Sequence, residues 1–193
     1  MKKTTNILKN IKGVAAIEFA LALPLLILLV FGGVEATRYV LIAQKLDRIS
    51  GTLSDVVSQN ETISTTQLNQ IIVASGQLML PYNFTRDGYA IISSVTKTGT
   101  NAPVINWQYK STGTAQTSHI GISGGTAIMP SNFTMVDKDT VIITEVFYNY
   151  TPILAGVIYS NSQLYSSSIY KPRLGSLTTL SYLFSNKKQE TIL

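Results

Sequence analysis

The sequence predicts an α+β protein on a membrane anchor. An N-terminal transmembrane helix continues into an amphipathic stalk helix, followed by a second, shorter helix and a small antiparallel β-sheet domain. Three observations predict this order. From Val14 to Val34 there are 21 residues, and Glu18 is the only charged one. Apolar residues then recur at spacings of three and four as far as Val56. Beyond Pro81 the period shortens to two, in stretches rich in Val, Ile, Thr and Tyr.

The first 13 residues form a basic leader carrying Lys2, Lys3, Lys9 and Lys12 and no acid. Residues 14–34 follow as the transmembrane helix. As a helix they span roughly 32 Å, close to the ~30 Å hydrocarbon core of a bilayer. Pro24 lies inside the run, and membrane helices tolerate such a residue. Gly32 and Gly33 near its end permit close packing. The formal net charge is +5, and four of the 15 Lys+Arg lie in the leader, so the rest of the chain is nearly neutral. The high pI therefore belongs to the leader, and no nucleic-acid surface is expected. Basic residues before the span predict a cytoplasmic N-terminus and a C-terminal domain on the other side.

Residues 35–57 read as the stalk. Tyr39, Ile42, Leu46, Ile49, Leu53 and Val56 form one stripe, with Arg38, Gln44, Lys45, Asp47 and Arg48 off it. Such a stripe packs on the chain's own domain or on another helix in a coiled-coil seam, and the sequence leaves both open. Glu35 and Arg38 mark the outer membrane boundary and are placed to pair as i,i+3 neighbours.

Residues 58–62 break the helix, and an α+β domain over 62–175 follows. Ser64 or Thr65 caps a helix whose inner face is Leu68, Ile71, Ile72, Ser75 and Leu78, with Pro81 ending it. Tyr89–Val95 reads as a strand, and 97–101, with Gly99, as a hairpin connection. Ile105, Trp107 and Tyr109 alternate with Asn106, Gln108 and Lys110, as in a half-buried strand. The Gly/Ser/Thr-rich stretch from Ser111 to Ser131 reads as a long loop, and Asp137-Lys138-Asp139 as a turn. Thr140–Tyr150 is apolar on both faces and reads as a central strand. Gln163–Lys171 reads as the last strand, and 176–193 as a C-terminal tail whose end, from Ser185, is polar and frayed.

The sequence predicts no enzyme, no cofactor and no metal site. There is no cysteine, which excludes disulfides and thiol catalysis. His119 is the only histidine and sits in the Gly/Ser/Thr-rich loop, so it reads as exposed. Gly121-Ile-Ser-Gly-Gly125 is a flexible loop, not a nucleophile elbow. No P-loop is present, so the chain is not an assembly motor. Asp137 and Asp139 lack the other ligands of a calcium loop.

The segment from Lys12 to Phe19 resembles a class III signal, the type found on pilins. Such signals have a short basic leader, then a Gly before the cut, then a Glu five residues later inside the apolar run. Those positions are Gly13 and Glu18 here, with Val14 and Phe19 completing the processing segment. The stretch from Gly13 through Leu23-Pro24-Leu25-Leu26, then Phe31-Gly-Gly-Val-Glu-Ala-Thr-Arg38, resembles the TadE/TadG-like family of the tight-adherence (Flp) pilus system. Lys45-Leu-Asp-Arg48, Leu53-Ser-Asp55, Pro81-Tyr82, Trp107 and Pro172-Arg173-Leu-Gly175 add to the resemblance. It is densest over residues 13–57. The chain has no room for the large extra domain of TadG-like relatives, which favours the TadE side.

The resemblance implies a minor pilin-like protein that assists assembly of a type IVb pilus. It further implies a bacterial inner-membrane location, maturation by a prepilin peptidase, and contacts with other pilin-like subunits and pilus assembly proteins. In pilins the Glu pairs with the new α-amine of a neighbouring subunit. Two other readings stay open on sequence alone. One is a generic signal-anchored envelope protein, with Glu18 an interfacial charge that snorkels. The other is a secreted soluble binding protein cleaved near Ala36, although the apolar run exceeds the usual ~7–15-residue signal core.

Overall fold

The strand Thr140–Tyr150 (β3) is the spine of the sheet, because its residues from Val141 to Tyr148 are buried on both faces. It was traced in a computed structural model that describes residues 11–111, 117–130, 133–153 and 160–181. The expected leader up to residue 10 and the expected frayed end from Ser185 lie outside the described residues. The elements in order are α1 (Ile11–Ser58), α2 (Thr65–Gly76), α3 (Phe84–Asp87), β1 (Gly88–Thr96), β2 (Val104–Lys110), β3, and β4 (Ser162–Tyr170). The four strands are antiparallel in the order β2-β1-β3-β4. A long apolar helix, a shorter helix and an antiparallel sheet make the α+β arrangement that the periodicity predicts. The one-turn helix α3 was not legible in the sequence.

The chain divides into two compact units. One comprises Met1–Val40 and Thr151–Asn161, and the other Leu41–Tyr150 and Ser162–Leu193. In the second unit the C-terminal part of α1 buries Ile42, Leu46, Ile49, Leu53 and Val57. The stripe therefore packs on the chain's own domain. Its last member is Val57, not Val56, which is 36% exposed. Both follow Leu53 at helical spacing, and only the facing surface decides between them. Beside the stripe, Ser50, Ser54 and Ser58 are also buried. Ser50 Oγ lies 2.9 Å from Ser166 Oγ, and Ser54 Oγ 2.6 Å from Ser168 Oγ. Ser168 Oγ also donates to the Ser50 carbonyl at 2.6 Å. Short hydroxyl side chains let the helix approach β4 closely, and they satisfy one another where water is excluded.

Ser64 caps α2 through a capping box. Its Oγ accepts the Gln67 N–H at 3.3 Å, and Gln67 Oε1 accepts the Ser64 N–H at 2.9 Å. Leu68, Ile72 and Ser75 are buried as expected, with Gly76, while Ile71 is half-buried. The helix stops at Gly76, before Pro81, and a 3-10 turn over Gln77–Met79 follows. Lys45 Nζ on α1 donates to the carbonyls of Leu78 and Leu80 at 3.2 and 2.8 Å.

The strands differ from the simple alternation in one place. A β-bulge between Ser94 and Val95 pairs Ser94 with Trp107 but Val95 with Ile105. Cross-strand partners share a face, so Ile105 and Trp107 point to opposite sides of the sheet. Ile105 joins Val95, Val141 and Ile143 in one core cluster. Trp107 Nε1 donates to the Leu177 carbonyl at 2.7 Å. Leu177, in the stretch expected as a tail, is itself buried, and Ser181 pairs with Ser64. The described part of the stretch expected as a long loop, residues 117–130, also contributes to the core. Ile120 and Ala127 pack into the cluster of Ile105 and Val141, and Gly124 and Gly125 exchange backbone hydrogen bonds with Ile105.

Candidate functional site: the apolar helix and its polar exit

The residues expected to form the processing segment lie on one exposed stretch of helix. Every residue from Gly13 to Phe31 is exposed, including Glu18, and Phe19 is 61% exposed. An apolar helix that is hydrophobic all round and covered by nothing has found no protein core to fill. It is the one helix, among the described residues, long and apolar enough to cross a membrane. Gly13 sits in the first turns of α1, and a Cβ built there would meet nothing within 4 Å.

The other end of the apolar run is polar and structured. Arg38 Nη1 lies 3.5 Å from Glu35 Oε1, the i,i+3 pair expected from the sequence. The structure adds a partner that spacing could not show: the Ile153 N–H donates to Glu35 Oε2 at 3.0 Å. Glu35 is 5% exposed, so its carboxylate is buried within the protein. A buried carboxylate is stable only when its oxygens are occupied, and here a guanidinium and a backbone N–H occupy them. Among the described residues, Gly13, Val14, Glu18 and Phe19 lie exposed on the helix, whereas Glu35 is brought both to Arg38 and to the Ile153 N–H.

A second buried carboxylate escaped the sequence reading. Glu145, on β3, is fully buried and accepts hydrogen bonds from the His119 N–H at 2.8 Å, from Ser118 Oγ and from the Tyr165 hydroxyl at 3.3 Å. Its role in this geometry is to pin the 117–130 segment on the sheet. The His119 ring, itself exposed as expected, lies 4.4 Å from the Tyr165 ring and 5.2 Å edge-on from Phe147. The signal was present: Glu145 is the only charge in an otherwise uncharged strand. Among the described residues no group of three or more His, Cys, Asp or Glu side chains could hold a metal ion.

These features fit a single-pass membrane anchor bearing an α+β domain. The family model described as TadE-like protein matches residues 13–50, which takes in the apolar run and the stalk as far as Ser50. That family is pilus-associated and structural, is not known for enzymes, and suggests involvement in a tight-adherence pilus system. No curated protein matches the chain, and no solved structure matches it.

Proposed function

We propose that this chain is a non-enzymatic, pilin-like membrane protein that assists assembly of a tight-adherence (type IVb) pilus. The observation that carries the reading is that the TadE-like match, residues 13–50, takes in the apolar helix, which is exposed at every residue from Gly13 to Phe31. In this reading a prepilin peptidase in the bacterial inner membrane cuts between Gly13 and Val14. Glu18 stays just inside the cytoplasmic edge, and the sheet domain lies on the far side. Pilin-like subunits and other pilus assembly proteins are the partners. The four leader lysines support this orientation.

The rival reading as a released soluble protein would sever α1 after Ala36. That cut removes Glu35 and leaves the Ile153 N–H without its acceptor. The mature N-terminus distinguishes the readings. Mass spectrometry of membrane-extracted protein should find Val14 first, and Gly13→Val should leave a precursor larger by the leader. A mature chain beginning at Thr37 would establish the secreted form. An intact Met1 terminus, in cells that process their major pilin, would leave only a plain signal anchor.

A further inference from the structure

The connection between β3 and β4 belongs to the same compact unit as the apolar helix. Its backbone is tied to that helix by the Ile153 N–H and Glu35 Oε2, 3.0 Å apart. Glu35 directly follows Val34, the last residue of the apolar run. The Ile153 backbone is therefore held within about one helical turn of the level at which the hydrocarbon ends. Pro152 is buried, yet Ile153 is 55% exposed. An aliphatic side chain fixed at that level gains free energy if lipid replaces the water around it. Nothing in the sequence opposes the transfer, because no charged residue or histidine occurs from Val146 through Tyr170.

We infer that the turn Thr151–Ile153, held by Glu35, is a second membrane contact, with Ile153 seated among the lipids of the leaflet where α1 leaves the bilayer. The occupant is lipid: the contact continues the apolar surface of the helix past Val34, and the segment offers no charge for a protein partner to pair with. The inference rests on reading α1 as the membrane anchor. A helix attached along its own axis alone rotates and tilts freely, and a second contact beside its exit restricts both.

The absence of cysteine makes the test direct. Full-length chains carrying Ile153→Cys or Leu26→Cys are labelled with an environment-sensitive fluorophore. They are reconstituted in phosphatidylethanolamine/phosphatidylglycerol vesicles containing lipids with a nitroxide at the headgroup or deep in the acyl chain. The label at Ile153 should show blue-shifted emission and lose intensity chiefly to the headgroup nitroxide; the label at Leu26 should lose it chiefly to the deep one. Adding Glu35→Ala should weaken the headgroup quenching at Ile153 and raise access by aqueous iodide. Quenching at Leu26 with none at Ile153 overturns this inference alone. Shielding of Ile153 from iodide without lipid quenching also overturns it, since protein then covers the site. Loss of lipid quenching at both positions overturns the anchor reading and this inference with it.

Discussion

Asp55 and Arg173 meet across 118 residues of sequence, with Oδ1 and Nη2 2.6 Å apart, and the Arg173 N–H donates to the Ser58 carbonyl at 2.8 Å. The last four carbonyls of a helix have no partner within it. The segment after β4 thus supplies both a backbone cap and a cation to the C-terminal end of α1, the end whose dipole favours positive charge. Leu53-Ser-Asp55 and Pro172-Arg173-Leu-Gly175, both outside the matched residues 13–50, are the two sides of one contact. Lys45 and the turn at Pro81 stand in the same relation, through the Leu80 carbonyl at 2.8 Å.

The ion pair itself should contribute little. Arg173 is 61% exposed and Asp55 35%, so water screens the pair, and Arg173→Ala should cost about 0.2–1 kcal/mol. The backbone bond to Ser58 survives that substitution. Denaturant unfolding of the detergent-solubilised chain, with Asp55→Ala and the double variant to close the cycle, measures the coupling. A loss of several kcal/mol would show that the pair is the main clasp and not a trim on a backbone cap.

The serines beneath the helix should be far less forgiving. Ser54 is fully buried and within 2.6 Å of Ser168 Oγ. Ser54→Ala removes the hydroxyl's contacts with the Ser168 hydroxyl and carbonyl and should cost about 1 kcal/mol. Ser54→Leu forces extra methylenes into a closed interface and should cost about 1–3 kcal/mol or more, because the helix must lift from β4. The same unfolding measurement separates the two. Equal stability of Leu and Ala variants would mean that the helix does not pack on β4 at this point.

The serines show which part of this fold could be read in advance. The apolar run, the stalk stripe and the strand Thr140–Tyr150 are legible because burial there is written in hydrophobicity. Ser50, Ser54 and Ser58 recur every four residues, but hydroxyls also suit an exposed face, so nothing in their spacing marks them as buried; Ser50 and Ser54 are buried against serines of β4. The reversal of Ile105 against Trp107 was hidden because strict alternation assumes no inserted residue, and a bulge inserts one. At the candidate site the Glu35–Arg38 pair follows from spacing. Ile153 does not, since a backbone N–H from a remote loop leaves no mark in the sequence. Glu145 did leave one, as a lone charge in an apolar strand.

Alkaline pH should loosen the sheet through Tyr89. Burial pushes its phenol from 10.0 up to about 12; the Glu145 carboxylate acts in the same direction and a hydrogen bond with Gln163 against it. Burial also raises Tyr165 and Tyr109. The folded-state value lies above the unfolded one, so folding favours the neutral phenol. The contribution is intact below pH about 10 and is lost as pH rises from there through about 12. Two units correspond to roughly 2–3 kcal/mol at most. Tyr89→Phe should flatten the stability loss in that window and remove one late-titrating phenol from the absorbance titration. An unchanged slope would mean that Tyr89 ionises without cost.

Glu18 is the residue on which the assembly reading depends. It is the only charge in the apolar run, it is exposed on α1, and placing it there weakens insertion instead of helping it. An anchor needs no carboxylate at that position. If Gly13 is removed, Val14 gains a positive α-amine, and a Glu18 carboxylate on a neighbouring subunit could pair with it in a low-dielectric setting. Leaving either partner alone there is expensive, about 3–5 kcal/mol for a fully buried pair. Glu18→Ala should therefore leave processing and membrane insertion largely intact while reducing pilus number and recovery of pilin partners. Glu18→Gln preserves shape without charge and should behave like Ala. Electron microscopy beside an immunoblot of the processed chain reads both effects. Normal pili and normal partner recovery in the Ala variant would make Glu18 a snorkelling boundary charge, and the plain signal anchor would then be the better description of this helix.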